Sequence, residues 1–173
     1  MSAGPSPLSG RIAVGLPPVE AFTLFTPRGE QDWATGWRPA FFDPVEDDTE
    51  PGTAFQTAAH GQHTIWLVLD RIPGRQIRYA RVSPGDRAGT VTVTVSPDPN
   101  GAGSQVEVTY RLAALSDAGR HRLAEFAAGY AAYLRSWEQA IAALLHRRAP
   151  APRPAGAAGH PAAPGTSGHG APP

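Results

Sequence analysis

The run Ser116–His146, SDAGRHRLAEFAAGYAAYLRSWEQAIAALLH, decides the fold. Leu123, Phe126, Tyr130, Tyr133, Leu134, Trp137, Ile141, Leu144 and Leu145 recur at steps of three and four. That spacing puts them on one wide stripe of a 3.6-period helix. Ser116 is placed to cap its N-terminus, and Asp117 suits the positive end of the helix dipole. His146, Arg147 and Arg148 suit the other end, and Pro150 stops the pattern. Three of the stripe residues carry both a large ring and a polar atom. The helix therefore needs a broad apolar surface to lie on.

The preceding segments supply it. From Thr53 the period changes from three or four to two. Thr53–His60 and His63–Ile72 are predicted strands with Gly61-Gln62 as a tight loop, which would set His60 opposite His63. Pro73-Gly74, Ser83-Pro84-Gly85-Asp86 and Asp98-Pro99-Asn100-Gly101 are turns. They separate Gln76–Val82, Thr90–Val95 and Gln105–Leu112. Short joints make this sheet antiparallel. One face holds Val91, Val93, Val95, Val106, Val108, Tyr110 and Leu112, and the other holds Thr, Glu and Arg. An amphipathic sheet and an amphipathic helix bury each other's apolar faces.

Upstream, Gly10–Leu16 is a strand with Ile12 and Val14 on one face. Pro17-Pro18 opens a short helix, Val19–Phe25, with Val19, Phe22 and Phe25 inward. Gly29–Thr35 is a second short helix ending at Gly36, and Trp37–Gly52 is irregular with an acidic cluster at Asp43, Glu46, Asp47, Asp48 and Glu50. The order is β, α, α, five hairpin-linked strands, then one long helix. This is an α+β class with a curved antiparallel sheet around the C-terminal helix.

Composition narrows the function. Among 173 residues, Lys+Arg and Asp+Glu stand at 15 each, so the net charge is zero. A nucleic-acid partner would want a basic surface. There is no cysteine, which removes disulfides, thiolate nucleophiles and cysteine metal sites. Met1–Leu16 lacks the apolar core of a signal peptide, and no run reaches the roughly 20 apolar residues of a membrane span. A cytoplasmic location is expected. Residues 148–173 are nearly all Ala, Pro and Gly and are expected to form a disordered tail, with His160 and His169 as bystanders. The folded domain is expected over residues 9–147.

Particular residues carry a resemblance. Phe25-Thr26-Pro27, Gly29-Glu30, Trp33, Gly36-Trp37 and Pro39 form one motif. Trp66-x-Val68, Arg78-Tyr79-x-Arg81-Val82-x-Pro84-Gly85, Tyr110-Arg111-Leu112 and Trp137-Glu138-x-Ala140-Ile141 follow it. Together they resemble the START-like (SRPBCC, helix-grip) superfamily, in its bacterial polyketide-cyclase and lipid-transport-like branch, over about residues 10–146. The resemblance implies a deep apolar cavity between sheet and helix that holds a lipid, polyketide or other hydrophobic small molecule. It implies no cofactor. A cyclase or aromatase acting in the same cavity and a co-chaperone-like adaptor are the alternatives within the superfamily.

Phe55, Trp66, Tyr79, Phe126, Tyr130, Tyr133, Trp137 and Ile141 are the expected ligand-binding residues, on the inward faces of strands and helix. Thr57, Val68 and Asp70 share the face of Phe55 and Trp66. Tyr79 and Arg81 stand two apart on one strand and so share a face. If that face is inward they are the candidates for catalysis, a guanidinium for a carboxylate or enolate oxygen and a phenol for a proton; on the convex face Arg81 would instead be solvated or salt-bridged, the cheaper place for an unpaired guanidinium. Glu30 in a first turn is read as a dipole partner before an acid at a pocket mouth, and Trp33 and Trp37 as packing under the acidic loop or against the sheet rim. His60 and His63 give at most two metal ligands, so no metal site is expected. The acidic cluster lacks a calcium loop's spacing and reads as a solvated loop or a partner-facing patch; a protein partner is compatible with it but not indicated.

Overall fold

The computed structural model describes residues 6–59 and 61–150. Strand β1 (Leu8–Val14) leads to helix α1 (Pro18–Thr23), a 3₁₀ turn (Gly29–Asp32) and the two-residue β2 (Ala40–Phe41). Strands β3 (Ala54–Ala59), β4 (Gln62–Ile72), β5 (Gln76–Ser83), β6 (Arg87–Pro97) and β7 (Ser104–Ala114) follow, then helix α2 (Asp117–Arg148). The seven strands form one sheet in the order β1-β7-β6-β5-β4-β3-β2. Every pairing is antiparallel. This is the α+β helix-grip architecture expected from the alternation and the long stripe. Expected features at His60 and in 151–173, including the tail and its two histidines, lie outside the described residues.

Alternation settles the inner face. Val91, Val93, Val95, Val106, Val108, Tyr110 and Leu112 are all buried, with Ile12 and Val14 beside them on β1. Each fully buried aliphatic side chain contributes roughly 1.5–3 kcal/mol. From α2, Tyr130, Leu134, Ile141 and Leu144 are buried against this face. The helix packs on β1, β7 and β6, at one side of the sheet. The Tyr130 hydroxyl donates to the Val108 carbonyl at 2.6 Å and straps helix to strand.

Several expected details differ. Ala59 pairs with Gln62, so Gln62 belongs to β4 and not to the loop, and Gly61 turns at φ 74°. Phe55 then faces Trp66 and Thr57 faces Thr64, and His63 stands opposite Ala58. The glycine takes the left-handed position that a side chain would strain. Both strand ends move together, so the inward faces keep their residues: Phe55, Thr57, Trp66 and Val68 are buried. Asp70 does not join them, because an irregularity between Val68 and Asp70 turns it outward to Arg78 at 2.6 Å. Val19 is 70 % exposed: α1 is one short turn and a half whose buried face is Ala21 and Phe22. The second expected helix is only the 3₁₀ turn, and Gly36 follows it at φ 79°.

The acidic loop is tied down from within. Arg71 binds Asp47, Thr49 and Glu50, while Arg28 donates to the carbonyls of Val45 and Glu46 and its backbone N–H to Asp48. These bonds hold the Asp47 carboxyl down at about 2; the Thr49 hydroxyl is the largest cause, with Arg71 next.

The start of α2 is fixed to the β5–β6 turn. Ser116 Oγ accepts from the Gly119 N–H at 2.9 Å and donates to the Gly85 carbonyl at 2.7 Å. The Leu115 N–H reaches the Asp86 carbonyl at 2.7 Å. A Cβ on Gly119 would stand 2.0 Å from that same carbonyl oxygen. Only glycine lets the helix seat this close to backbone. Gly119→Ala should therefore destabilise the protein by about 1–3 kcal/mol despite alanine's better helix propensity. Ser116→Ala should cost about 1 kcal/mol. Denaturant melts would show both, and an unchanged midpoint for Gly119→Ala would mean the helix start is not pinned.

Candidate ligand cavity

Beyond the strip that α2 covers, the concave face of the sheet stays open. A cavity of about 1050 Å³ lies there between β3–β6, the 3₁₀ turn and the middle of α2. Gly61, His63, Pro84 and Ser136 border it and are exposed, marking a mouth between the β3–β4 hairpin, the β5–β6 turn and the helix.

The inner wall is aromatic. Phe55 and Trp66 stack with centroids 6.0 Å apart, and Tyr79 meets both edge-on at 6.2 and 6.1 Å. Trp37 leans on Trp66 at 5.3 Å. Across the space Trp137 touches Trp33 at 5.1 Å and Tyr133 at 5.0 Å. Three indole N–H groups are spent on the protein: Trp33 on the Leu24 carbonyl, Trp37 on the Pro27 carbonyl, Trp66 on Thr57 Oγ1. These rings are locked by their own bonds, so the wall is preformed.

The expected site residues divide. Phe55, Trp66, Tyr79, Tyr133 and Trp137 line the cavity, as does Arg81. Phe126, Tyr130 and Ile141 do not. Ile141 is buried in the core, Tyr130 is strapped to β7, and Phe126 lies beneath Arg87, whose guanidinium sits 5.3 Å from its ring centroid. Tyr79 and Arg81 share the inward face, but their polar ends differ. The Tyr79 hydroxyl donates to the buried Phe25 carbonyl at 2.9 Å, so its proton is committed. Tyr110 and Tyr133 also border the cavity near Arg81. Burial raises the pKa of all three phenols, so they are neutral at physiological pH.

Arg81 sits over the Trp66 ring, its guanidinium carbon 4.9 Å from the centroid, and gives one hydrogen bond to Ser83 Oγ at 3.2 Å. Arg87 is on the same wall. Asp86, buried beside it, takes Arg122 Nε at 2.7 Å on one oxygen. The other oxygen takes Gln62 Nε2 at 2.7 Å and has Arg87 Nε at 3.0 Å. Burial pushes the Asp86 carboxyl up, but the Arg122 hydrogen bond, the Arg87 charge and the Gln62 amide outweigh it and leave the pKa below its ordinary value.

Arg87 was not among the expected residues, although strand parity reaches it: Val91 and Val93 face inward, and so does each second residue back to Arg87. Placing the strand start at Thr90 hid it. Glu30 differs more. Rather than meeting solvent near a helix end, it is 8 % exposed, lines the cavity and makes no side-chain hydrogen bond or ion pair among the described residues. Gly29 causes this: a Cβ there would stand 1.8 Å from the Thr23 carbonyl oxygen, so the turn folds tightly back and swings the next side chain inward. Burial raises the Glu30 pKa well above the ordinary carboxyl value. Among the described residues no group of three His, Asp or Glu side chains comes together to hold a metal, and no helix is long and apolar enough to cross a membrane.

The chain has the helix-grip fold. No protein-family model and no curated protein matches the sequence. Solved structures do match. A protein from Rhodobacter sphaeroides superposes with a TM-score of 0.62 at 15 % identity, over 86 % of this chain and 97 % of its own. CalU16 from Micromonospora echinospora gives 0.56 at 21 % identity, over 82 % and 79 %. Aha1 from Colwellia psychrerythraea gives 0.54 at 15 % identity, over 79 % and 96 %.

Glu30 yields a pH prediction. Its folded pKa lies above the unfolded value of about 4.3, so its ionisation weakens the fold as pH rises past that value. Glu30→Gln should raise the melting temperature at neutral pH, and the gain should shrink to nothing as pH falls toward the unfolded value. Thermal melts of both proteins across pH would show it, and a pH-independent difference would contradict it.

Proposed function

We propose that this protein binds a hydrophobic small molecule, such as a lipid, polyketide or aromatic metabolite, in the cavity between the sheet and α2. The observation that carries the reading is the preformed aromatic wall around a space of about 1050 Å³. Ligand sites are typically clefts of about 300–1000 Å³ with apolar walls and a few polar groups. The rings of Phe55, Trp66, Tyr133 and Trp137 offer the body of a ligand flat contact, while Arg81, Arg87 and Glu30 supply the polar groups.

The uncharged fluorophore phenylnaphthylamine provides the test. Its emission should rise and saturate on addition of the protein. Ala140→Trp, which fills the cavity from the helix side, should weaken uptake about tenfold. No rise with folded wild type would overturn the reading.

A cyclase reading has one observation in its favour. Arg81 shares the cavity with the neutral phenols Tyr110 and Tyr133, a cation and proton donors for an enolate oxygen. The phenol of that pair would be Tyr110 or Tyr133, since the Tyr79 proton is held by Phe25. Ring closure of a poly-β-keto thioester, seen as loss of water by mass spectrometry and abolished in Arg81→Ala, would support it; equal product without protein would remove it.

A further inference from the structure

We infer that the ligand is an amphiphile with an ionised carboxylate at one end, held by Arg81 and Arg87 at the mouth side of the cavity. This rests on the cavity being a small-molecule site and adds the chemistry of its polar end. The two guanidiniums reach the same wall from adjacent strands, β5 and β6, where Ser83 pairs with Arg87. Neither is saturated by the protein. Arg81 Nε and Arg87 Nη1 are buried and donate no hydrogen bond, and Arg87 Nε meets Asp86 Oδ2 at 3.0 Å as an ion pair without hydrogen-bond alignment. Arg87 has a side chain only 14 % exposed, and its nearest acid, Asp86, is already hydrogen-bonded to Arg122 and Gln62.

The charges do not cancel within the site. Asp86 meets Arg122 at 2.7 Å and Arg87 at 3.0 Å, so one carboxylate serves two arginines, and Arg81 has no ion pair among the described residues. Glu30, the other acid on the cavity wall, does not balance them: it makes no ion pair among the described residues, and burial raises its pKa. A buried cation with unused N–H groups is costly unless an anion joins it. Both guanidiniums are already positioned, Arg81 by Trp66 and Arg87 by Phe126 at 4.9 and 5.3 Å. A carboxylate matches their planar donor edges. Its apolar body would then run inward along Trp66, Tyr133 and Trp137, toward Glu30.

Matched competitors read this directly. Dodecanoate and dodecanol share a chain and differ in the head group. Each would be titrated against bound phenylnaphthylamine above neutral pH and below its aggregation threshold. Dodecanoate should displace the probe at a concentration roughly tenfold lower or more. Arg81→Met and Arg87→Met should each bring the two competitors toward parity, whereas Arg11→Met, on the outer face beside Glu107, should keep the preference. The arginine variants should melt no lower than wild type, because each loses an unsatisfied buried cation. Equal displacement in wild type, or a preference that survives both variants, would overturn the inference while leaving the cavity reading standing. Should the neutral probe fail to bind, tryptophan fluorescence titrated with dodecanoate alone decides: an Arg81-dependent response upholds the carboxylate site without the apolar one, and no response overturns both.

Discussion

One helix has to cover a seven-stranded sheet, and it is too narrow to do so. A helix with its side chains is about 10–12 Å across, whereas seven strands at about 4.8 Å spacing span about 30 Å. Helix α2 lies over β1, β7 and β6, where aliphatic side chains close the core. The strands left over carry large rings instead: Phe55 on β3, Trp66 on β4, Tyr79 on β5. Rings standing on a curved sheet, opposed by Trp33 from the 3₁₀ turn and Trp137 from the helix, meet at their edges and enclose space. The cavity is thus a consequence of fold geometry combined with residue size.

The anchor that sets the helix also sets the charges. The β5–β6 turn gives its Gly85 and Asp86 carbonyls to the start of α2, and the Asp86 side chain on the same turn gathers Arg122, Gln62 and Arg87. Arg122 comes from the second turn of the helix and Gln62 from the start of β4. A single turn therefore joins helix, hairpin and arginine wall. Moving the helix start would shift the cavity mouth as well as the core.

The fold was legible in the sequence because it is written as periodicity: steps of two in the strands and of three and four in the helix survive any local error. The hairpin loop was misplaced by one residue, yet the inward faces stood because both strand ends moved together. The site was less legible for a related reason. Periodicity says that Phe126, Tyr130, Tyr133 and Ile141 turn toward the sheet, but not which part of the sheet lies opposite. Tyr133 meets the open part; Tyr130 and Ile141 meet the closed part. Glu30 was ranked as a dipole partner ahead of a pocket acid because a tight 3₁₀ turn has no amphipathic signature, and Arg87 was missed because charged ends of strands look like loop.

The two polar poles of the cavity differ in what they ask of the protein. Glu30 relieves its burial by taking a proton, a route open to any carboxyl whose pKa has been raised. An arginine has no such route, since its intrinsic pKa is too high for burial to neutralise it near physiological pH. Arg81 and Arg87 must instead be stabilised by ring faces, by Ser83, by a shared Asp86 and by whatever enters the cavity. A site built only to hold apolar matter would gain from aliphatic residues at both positions. Keeping two under-satisfied guanidiniums on the wall makes sense where occupancy supplies the missing negative charge. On that account the protein is more favourably arranged when its cavity is filled than when it is empty.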